Sequence, residues 1–178
     1  ADVNYSAPAD HLYVIFIGSN DIFDALIALL YDQGGFTSEM VIAEAVSAVV
    51  EQVEILTALG AQNFVILNAP DFGMLPVARL IDAAYSPVPG FLIGAASYYS
   101  QVYNGGLHYF FGNEPGIRLL DFYTAFQHVI DNPADYGLSN STDVCVLPEQ
   151  PPFACRNPDA FCKPRRASFC LASSPMIE

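Results

Sequence analysis

The feature that most constrains the fold is a continuous run of apolar, β-branched and aromatic residues over residues 11–17, which stops at Gly18. A run without polar alternation is typical of a strand buried on both faces, as in a parallel sheet covered by helices. A second run at residues 63–67 follows a helical pattern over residues 38–59, and a third strand is predicted at residues 116–122. Short connections of this kind predict parallel strands joined by right-handed crossovers.

Helical spacing of apolar residues fills the segments between these strands. It predicts helices over residues 22–31, 38–59, 91–103 and 123–130, in the order β-α-α-β-α-β-α. From about residue 131 onward Pro, Ser, Asn and Cys dominate, which predicts a loop with little regular structure. The predicted fold class is therefore α/β, a three-layer α/β/α sandwich with a parallel sheet.

The charge balance excludes two classes of partner. Six Lys and Arg residues stand against 19 Asp and Glu, so the formal net charge is −13. A chain this acidic is repelled by phosphate backbones and anionic membranes, and we expect no nucleic-acid partner. No apolar run reaches the roughly 18–20 residues of a membrane span, so we expect no membrane-spanning segment. Hydrophobic residues make up 53% of the chain, too many for intrinsic disorder.

Cysteine usage and two sequence triplets predict a secreted protein. All four cysteines follow residue 144 and Lys is scarce, which suits two disulfides in any of three connectivities. A zinc site fits less well because close Cys pairs are missing. Asn4 and Asn140 each begin an N-glycosylation triplet. The chain begins at Ala1 and not at Met, so we expect it to be processed or to begin inside a longer protein.

Chemistry is expected where the strands end, because open α/β sheets bind ligands beyond the carboxyl ends of their strands. Three segments qualify, at residues 18–21, 68–73 and 121–123. In the first, Gly18 permits a tight turn, and the polar residues 19–21 follow where a helix N-terminus favours negative charge. Ser, Asn and Asp are also the commonest helix-capping residues, so capping is the structural alternative.

The first of these segments suggests a family. Residues 12–22, Leu-Tyr-Val-Ile-Phe-Ile-Gly-Ser-Asn-Asp-Ile, resemble the third conserved block of the SGNH (GDSL-type) esterase/lipase superfamily, a Gly-x-Asn-Asp tetrad after a buried strand. Residues 60–73 are similar to the family's next strand and its proline-containing exit. Residues 121–140 are similar to the late helix and loop of secreted fungal and bacterial members.

The resemblance implies a domain organisation. It covers about residues 10–161 and implies that residues 1–161 are a partial SGNH-hydrolase domain, with an α/β/α sandwich that is incomplete in this chain. Residues 162–178 depart from the family pattern, and we expect them to be a divergent, basic, cysteine-containing tail. Cys145 and Cys155 match the cysteine-bearing loop before the family's last block, which implies that they form a disulfide.

The family's mechanism gives the tetrad its chemical meaning. A Ser attacks the ester carbonyl after a His takes its proton, and an Asp orients that His. The oxyanion is held by the Ser N–H, a Gly N–H and the side-chain amide of the tetrad Asn. The resemblance therefore implies Asn20 as an oxyanion donor, Gly18 as the turn and Asp21 as the residue that holds it. This chemistry requires no metal or cofactor, and we expect neither.

Two blocks of the family are not found in the sequence. The Gly-Asp-Ser block with the nucleophile belongs upstream of the tetrad, and the closing Asp-x-x-His block is absent because no His follows His128. We therefore expect the chain alone to be inactive, and the missing N-terminal part of its own domain to be a partner. The substrates implied are carboxylic esters with short acyl, sugar or lipid groups.

Local residues offer weaker substitutes for the missing groups. Ser19 follows a strand and precedes a helix, as a nucleophile does, but lacks the Gly-x-Ser-x-Gly elbow, and Ser97 lies inside a helical pattern. The alternative function is a non-catalytic relative that binds carbohydrate or lipid. An aromatic set could line an acyl or sugar pocket or pack in the core: Tyr98, Tyr99, Tyr103, Tyr109, Phe110 and Phe111.

Overall fold

The computed structural model describes residues 6–32 and 34–143. Asn4, Cys145, Cys155 and the tail of residues 162–178 lie outside the described residues. Short 3-10 turns follow the second strand and the last helix. The strands and helices are β1 (Leu12–Ile15), α1 (Ser19–Tyr31), α2 (Phe36–Ala58), β2 (Asn63–Leu67), α3 (Pro76–Tyr85), α4 (Phe91–Phe111), β3 (Ile117–Leu120) and α5 (Phe122–Asp131), with the 3-10 turns at Phe72–Met74 and Pro133–Tyr136.

The three strands form one parallel sheet in the order β1-β2-β3. In its register Tyr13 lies beside Phe64, and Phe64 lies beside Ile117. Helices connect each strand to the next, because parallel neighbours need a crossover. This confirms the predicted α/β fold class and its parallel sheet, as a partial sandwich.

One face of the sheet packs against the helices, and we call it the covered face. Its side chains alternate with those of the opposite face, as the pleat of a strand requires. Phe64 and Ile66 are buried in the same cluster as Ile22 of α1 and Val49 of α2. Helices α1, α2 and α4 pack against one another above this face. The side chains of the covered face are those of Tyr13, Ile15, Phe64, Ile66, Ile117 and Leu119.

The opposite face, which we call the open face, carries exposed apolar side chains at Leu12, Val14, Phe16 and Leu120. Leu12 is 62% exposed and Val14 is 61% exposed. The prediction that the first strand is buried on both faces is therefore wrong for the described residues. The apolar composition of β1 suits burial on both sides, but helices cover one of them. On the open face, the ring of Phe16 contacts the ring of Phe122, with 5.2 Å between the two centroids.

Two helices differ from their predicted bounds by more than two residues, and one helix was not predicted. Helix α1 begins at Ser19 and not at residue 22, and α4 continues beyond residue 103 to Phe111. The continuation passes through Gly106, where a Cβ atom would lie 2.8 Å from Cγ2 of Val46, so this glycine allows α4 to approach α2 closely. Helix α3 was not predicted; it begins at Pro76, a residue type that suits the first helical position.

Candidate active site

The turn between β1 and α1 brings the tetrad to the end of the sheet. Gly18 has φ of 107°, in the left-handed region that favours glycine, and it is the N-cap residue of α1. No side chain makes a cap hydrogen bond at this helix. The capping explanation for Ser19, Asn20 and Asp21 is therefore wrong, and their side chains remain available for another role.

Asn20 occupies the second position of α1, and its side chain is exposed. Among the described residues its amide has no hydrogen-bond partner. The first hydrogen bond of the helix runs from Ile22 N to Gly18 O at 3.1 Å, which leaves the preceding backbone N–H groups without partners inside the helix. The amide donor and the positive end of the helix dipole therefore lie at the same place, a combination that suits a developing negative charge.

Tyr103 of α4 lies directly beneath this turn. Its side chain is 1% exposed, and its hydroxyl donates to the carbonyl oxygen of Ile17 at 3.0 Å. A Cβ atom at Gly18 would lie 2.3 Å from Cζ of Tyr103, so only glycine fits against the ring. Burial raises the pKa of the Tyr103 hydroxyl and the carboxylate of Asp21 raises it further, so the hydroxyl stays protonated and donates at neutral pH.

The second strand end is organised by the buried carboxylate of Asp71. Its Oδ1 accepts from Gly73 N at 2.9 Å and from Ser97 Oγ at 2.7 Å. Its Oδ2 accepts from the hydroxyl of Tyr123 at 3.0 Å. Because these donors come from the loop itself, from α4 and from α5, one carboxylate joins three elements of the fold.

Asn68 links the second strand end to the third. Its Nδ2 donates to Asp121 Oδ1 at 3.1 Å, and its Oδ1 accepts from Tyr123 N at 2.7 Å. Hydrogen bonds from Thr124 and then from Asn68 hold the pKa of the Asp121 carboxyl below its usual range. Asp121 also accepts from Thr124 N and thereby caps α5. The last two strand ends are therefore fixed to each other by side chains.

Helix α4 contacts the ends of all three strands. Besides Tyr103 at the first, Asn104 bonds the backbone of Ala69, and Ser100 Oγ accepts from Phe72 N at 3.1 Å. Gln101 donates to the hydroxyl of Tyr123 at 3.2 Å. This role of α4 was not predicted from the sequence. The only signal for it is the polar spacing of residues 97, 100, 101 and 104 along one helix, which does not reveal their partners.

The structure places the other candidate groups away from a triad. Ser97 donates to Asp71, and Ser19 is exposed with no hydrogen bond to a His among the described residues. His128 pairs with the hydroxyl of Tyr136 at 3.0 Å. Within residues 6–32 and 34–143 no three His, Cys, Asp or Glu side chains are grouped as metal ligands. In the same ranges no helix has the length and apolar character to cross a membrane.

Of the two glycosylation candidates, Asn140 is described. Its Oδ1 accepts from Thr142 N at 2.8 Å and from Thr142 Oγ1 at 3.1 Å, and its Nδ2 donates to Asp143 Oδ2 at 2.8 Å. The residues of this triplet therefore form a compact turn on the surface. The aromatic set divides by burial: Tyr99, Tyr103 and Phe111 are buried, whereas Tyr98, Tyr109 and Phe110 are exposed.

Comparison with known proteins gives the family. The family model of the GDSL-like lipase/acylhydrolases matches residues 1–161. The chain belongs to this family. An acetylesterase of Thermothelomyces thermophilus is 26% identical over 133 residues, which are 74% of this chain and 41% of that protein. The chain thus matches about two fifths of the length of that relative. The family suggested by the Gly-x-Asn-Asp tetrad is confirmed, and at the level of the family the chemistry is ester hydrolysis.

Proposed function

We propose that this chain supplies the oxyanion-donor part of a carboxylic ester hydrolase, with Asn20 as the donor. The observation that carries the proposal is the exposed Asn20 amide, which has no partner among the described residues and follows a glycine turn at the carboxyl end of a parallel strand. Family membership supplies the reaction class. The acetylesterase relative favours short acyl esters among the substrates.

The proposed chemistry needs a neutral donor. When a nucleophile attacks an ester carbonyl, the oxygen becomes an alkoxide, and an amide N–H stabilises it more strongly than it stabilises the carbonyl of the substrate. An uncharged amide donates without forming an ion pair with the substrate. Gly18 makes the turn that presents the amide in this proposal, and Asp21 lies one residue further along α1. The Ser and His of the reaction come from sequence other than the described residues.

The partner in this proposal is the N-terminal part of the same domain, which carries the Gly-Asp-Ser block. Two features of β1 support it: its outer edge has no strand neighbour among the described residues, and Leu12 and Val14 expose apolar surface. An unpaired edge and an apolar face are both unfavourable in water. We therefore expect residues 1–178 alone to unfold with a broad thermal transition, and a sharp transition of the monomer would contradict this partner.

The test compares residues 1–178 alone with an extended form, which adds the coding sequence that precedes Ala1 in the native gene and a carboxyl-terminal coding sequence that supplies the closing Asp-x-x-His block. Hydrolysis of p-nitrophenyl acetate and labelling by a fluorophosphonate probe are measured for both. We expect neither in residues 1–178 and both in the extended form. Turnover by residues 1–178, or an extension without a Gly-Asp-Ser block, would contradict the proposal.

In the extended form, Asn20→Ala should lower kcat by about 10²–10³ and leave KM nearly unchanged, because an oxyanion donor acts in the transition state. Asn20→Asp should be equally impaired, since a carboxylate repels the oxyanion. Asn113→Ala is the matched control: this exposed asparagine lies between α4 and β3, at the amino end of the sheet. An Asn20→Ala variant with the kcat of the control would remove Asn20 from the mechanism.

A second candidate function is binding of carbohydrate or lipid without catalysis. It is favoured by the exposed rings of Tyr98 and Tyr109 on α4, which offer flat apolar surfaces for stacking. Calorimetric titration of the extended form with an acetylated oligosaccharide distinguishes the two functions. Binding without release of acetate, lost in Tyr98→Ala and Tyr109→Ala, would support this candidate over the first.

We further infer that the protein is secreted, with glycans at Asn4 and Asn140 and a disulfide between Cys145 and Cys155. The support is the even number of cysteines, the scarcity of Lys and the two acceptor triplets. Peptide mass spectrometry of the protein from its native host, with and without reduction and deglycosylation, tests each point. Free thiols at Cys145 and Cys155, or unmodified asparagines at both triplets, would contradict it.

A further inference from the structure

We propose that Tyr103 is a positioning residue for Asn20, acting through the backbone of the turn at Gly18. The inference rests on the proposed function of Asn20 as oxyanion donor and adds the side chain that fixes where the donor points. It rests on two contacts of the same buried ring, one polar and one steric, with consecutive residues of the turn.

The polar contact fixes a peptide plane. The Tyr103 hydroxyl donates to the Ile17 carbonyl at 3.0 Å, and this carbonyl belongs to the peptide group that joins Ile17 to Gly18. Because a peptide group is planar, a fixed carbonyl direction also fixes the direction of the Gly18 N–H. The helix that carries Asn20 starts at the next residue, Ser19.

The steric contact limits the remaining freedom of the turn. Gly18 has no side chain, and the Tyr103 ring fills the place where a Cβ atom would lie, 2.3 Å from Cζ. The side chains of Ile17, Ser19 and Asn20 are all exposed, so they do not anchor the turn in the core. Tyr103 is therefore the buried side chain on which the turn rests, and it sits at the entry to α1.

A small displacement of this turn would matter for catalysis. Transition-state stabilisation by an oxyanion donor depends on placing the N–H within hydrogen-bond distance of one oxygen, and misplacement by about 1 Å can cost a large factor in rate. Loss of the Tyr103 hydroxyl leaves the ring and its packing in place. It removes the hydrogen bond that holds the Ile17 carbonyl, and with it the fixed starting direction of α1.

The experiment compares Tyr103→Phe with Tyr99→Phe in the extended, active form. Tyr99 is a matched control because it is buried on the same helix, at 4% exposure, and its hydroxyl lies near Gly35 at the other end of α1. Among the described residues the Tyr99 hydroxyl makes no hydrogen bond. We expect Tyr103→Phe to lower kcat about tenfold with little change in KM, and Tyr99→Phe to leave both unchanged.

A double-mutant cycle separates positioning from a general structural effect. In the Asn20→Ala background, Tyr103→Phe should change kcat by less than about twofold, because the group that it positions is gone. Full additivity of the two substitutions would overturn the inference while leaving the role of Asn20 intact. No effect of Asn20→Ala alone would instead overturn the proposed function, so the two failures are distinguishable.

A structural readout tests the contact without relying on turnover. Tyr103→Phe should shift the backbone amide resonances of Gly18, Ser19 and Asn20 in a ¹⁵N correlation spectrum, and Tyr99→Phe should leave them in place. Equal shifts in both variants, or none in Tyr103→Phe, would show that the hydroxyl does not hold the turn.

Discussion

The two faces of the sheet share their strands and their apolar composition, but they differ in what covers them. On the covered face, Ile66 is 1% exposed beneath α1, α2 and α4, whereas Val14 on the open face is 61% exposed. Both residues are β-branched and both lie in the middle of paired strands. The apolar strand sequence is therefore suited to burial on both faces, whereas the described residues bury it on one face.

The largest expected effect lies on the covered face. Ile66→Ala should lower the free energy of unfolding by about 2–5 kcal/mol, because it removes buried methyl groups and leaves a cavity. Val14→Ala in residues 1–178 should cost less than about 0.5 kcal/mol, as an exposed substitution does. Urea denaturation measures both values.

The same two variants can also be measured in the extended form. There Val14→Ala should cost about 1–2 kcal/mol, at about 0.8 kcal/mol for each buried CH₂, if the upstream segment covers the open face. An unchanged cost in the extended form would show that this segment packs elsewhere. A cost in residues 1–178 equal to that of Ile66→Ala would show that the open face is already covered.

A smaller effect concerns self-association through the open face. We expect residues 1–178 to associate in solution, because Leu12, Val14 and Phe16 present contiguous apolar surface beside a strand edge that has no partner among the described residues. The double variant Leu12→Lys/Val14→Lys should weaken association at least about tenfold, or about 1.4 kcal/mol. Sedimentation velocity over a range of concentrations measures the change.

The control for this variant places the same added charge elsewhere. Ala48→Lys/Gln52→Lys lies on the exposed side of α2 and should leave the association unchanged. If both double variants weaken association equally, the effect comes from net charge and not from the open face.

The smallest effect is expected just after β3, at the N-cap residue of α5, Asp121. Hydrogen bonds hold the pKa of the folded-state Asp121 carboxyl below its usual range, so the ionised form stabilises the fold above the unfolded pKa. This contribution is lost as the pH falls from about 5 through the lowered pKa. Because Asp121 is exposed, we expect about 0.5 kcal/mol or less.

Asp121→Asn should remove this pH dependence while keeping a residue that caps α5. Denaturation of the wild type and the variant at pH 7 and at pH 3 gives the comparison. The stability of the two proteins should differ less at pH 3 than at pH 7. A larger gap at the lower pH would assign the acid-sensitive group to another residue.

Sequence reasoning was most accurate where local composition decides the structure. Strand β2 has its predicted bounds, Asn63–Leu67, because a short apolar run between a helix end and a proline leaves few alternatives. It failed where a residue acts through a distant partner. The helix predicted over residues 91–103 stopped short of Gly106, which lies within α4 and allows close packing against Val46, sixty positions earlier in the sequence.

The same contrast between local and distant signals applies to the candidate site. Asn20 could be proposed as a site residue from four consecutive residues after a strand, because the family motif is local. The contacts of Asp71 with Ser97 and Tyr123 join residues 26 and 52 positions apart, and the local sequence pattern does not predict them. In the sequence, Tyr103 is an aromatic residue at helical spacing, and this pattern is equally compatible with packing and with a role at the turn.

The pairing of Asn104 with Ala69 has a consequence for the backbone of the loop after β2. Its Oδ1 accepts from Ala69 N at 2.8 Å and its Nδ2 donates to Ala69 O at 2.8 Å, the two bonds that a neighbouring strand would make. The side chain of Asn104 on α4 thus hydrogen-bonds both backbone polar groups of Ala69 in the loop. The backbone N–H and carbonyl of Ala69 are therefore both satisfied without a neighbouring β-strand.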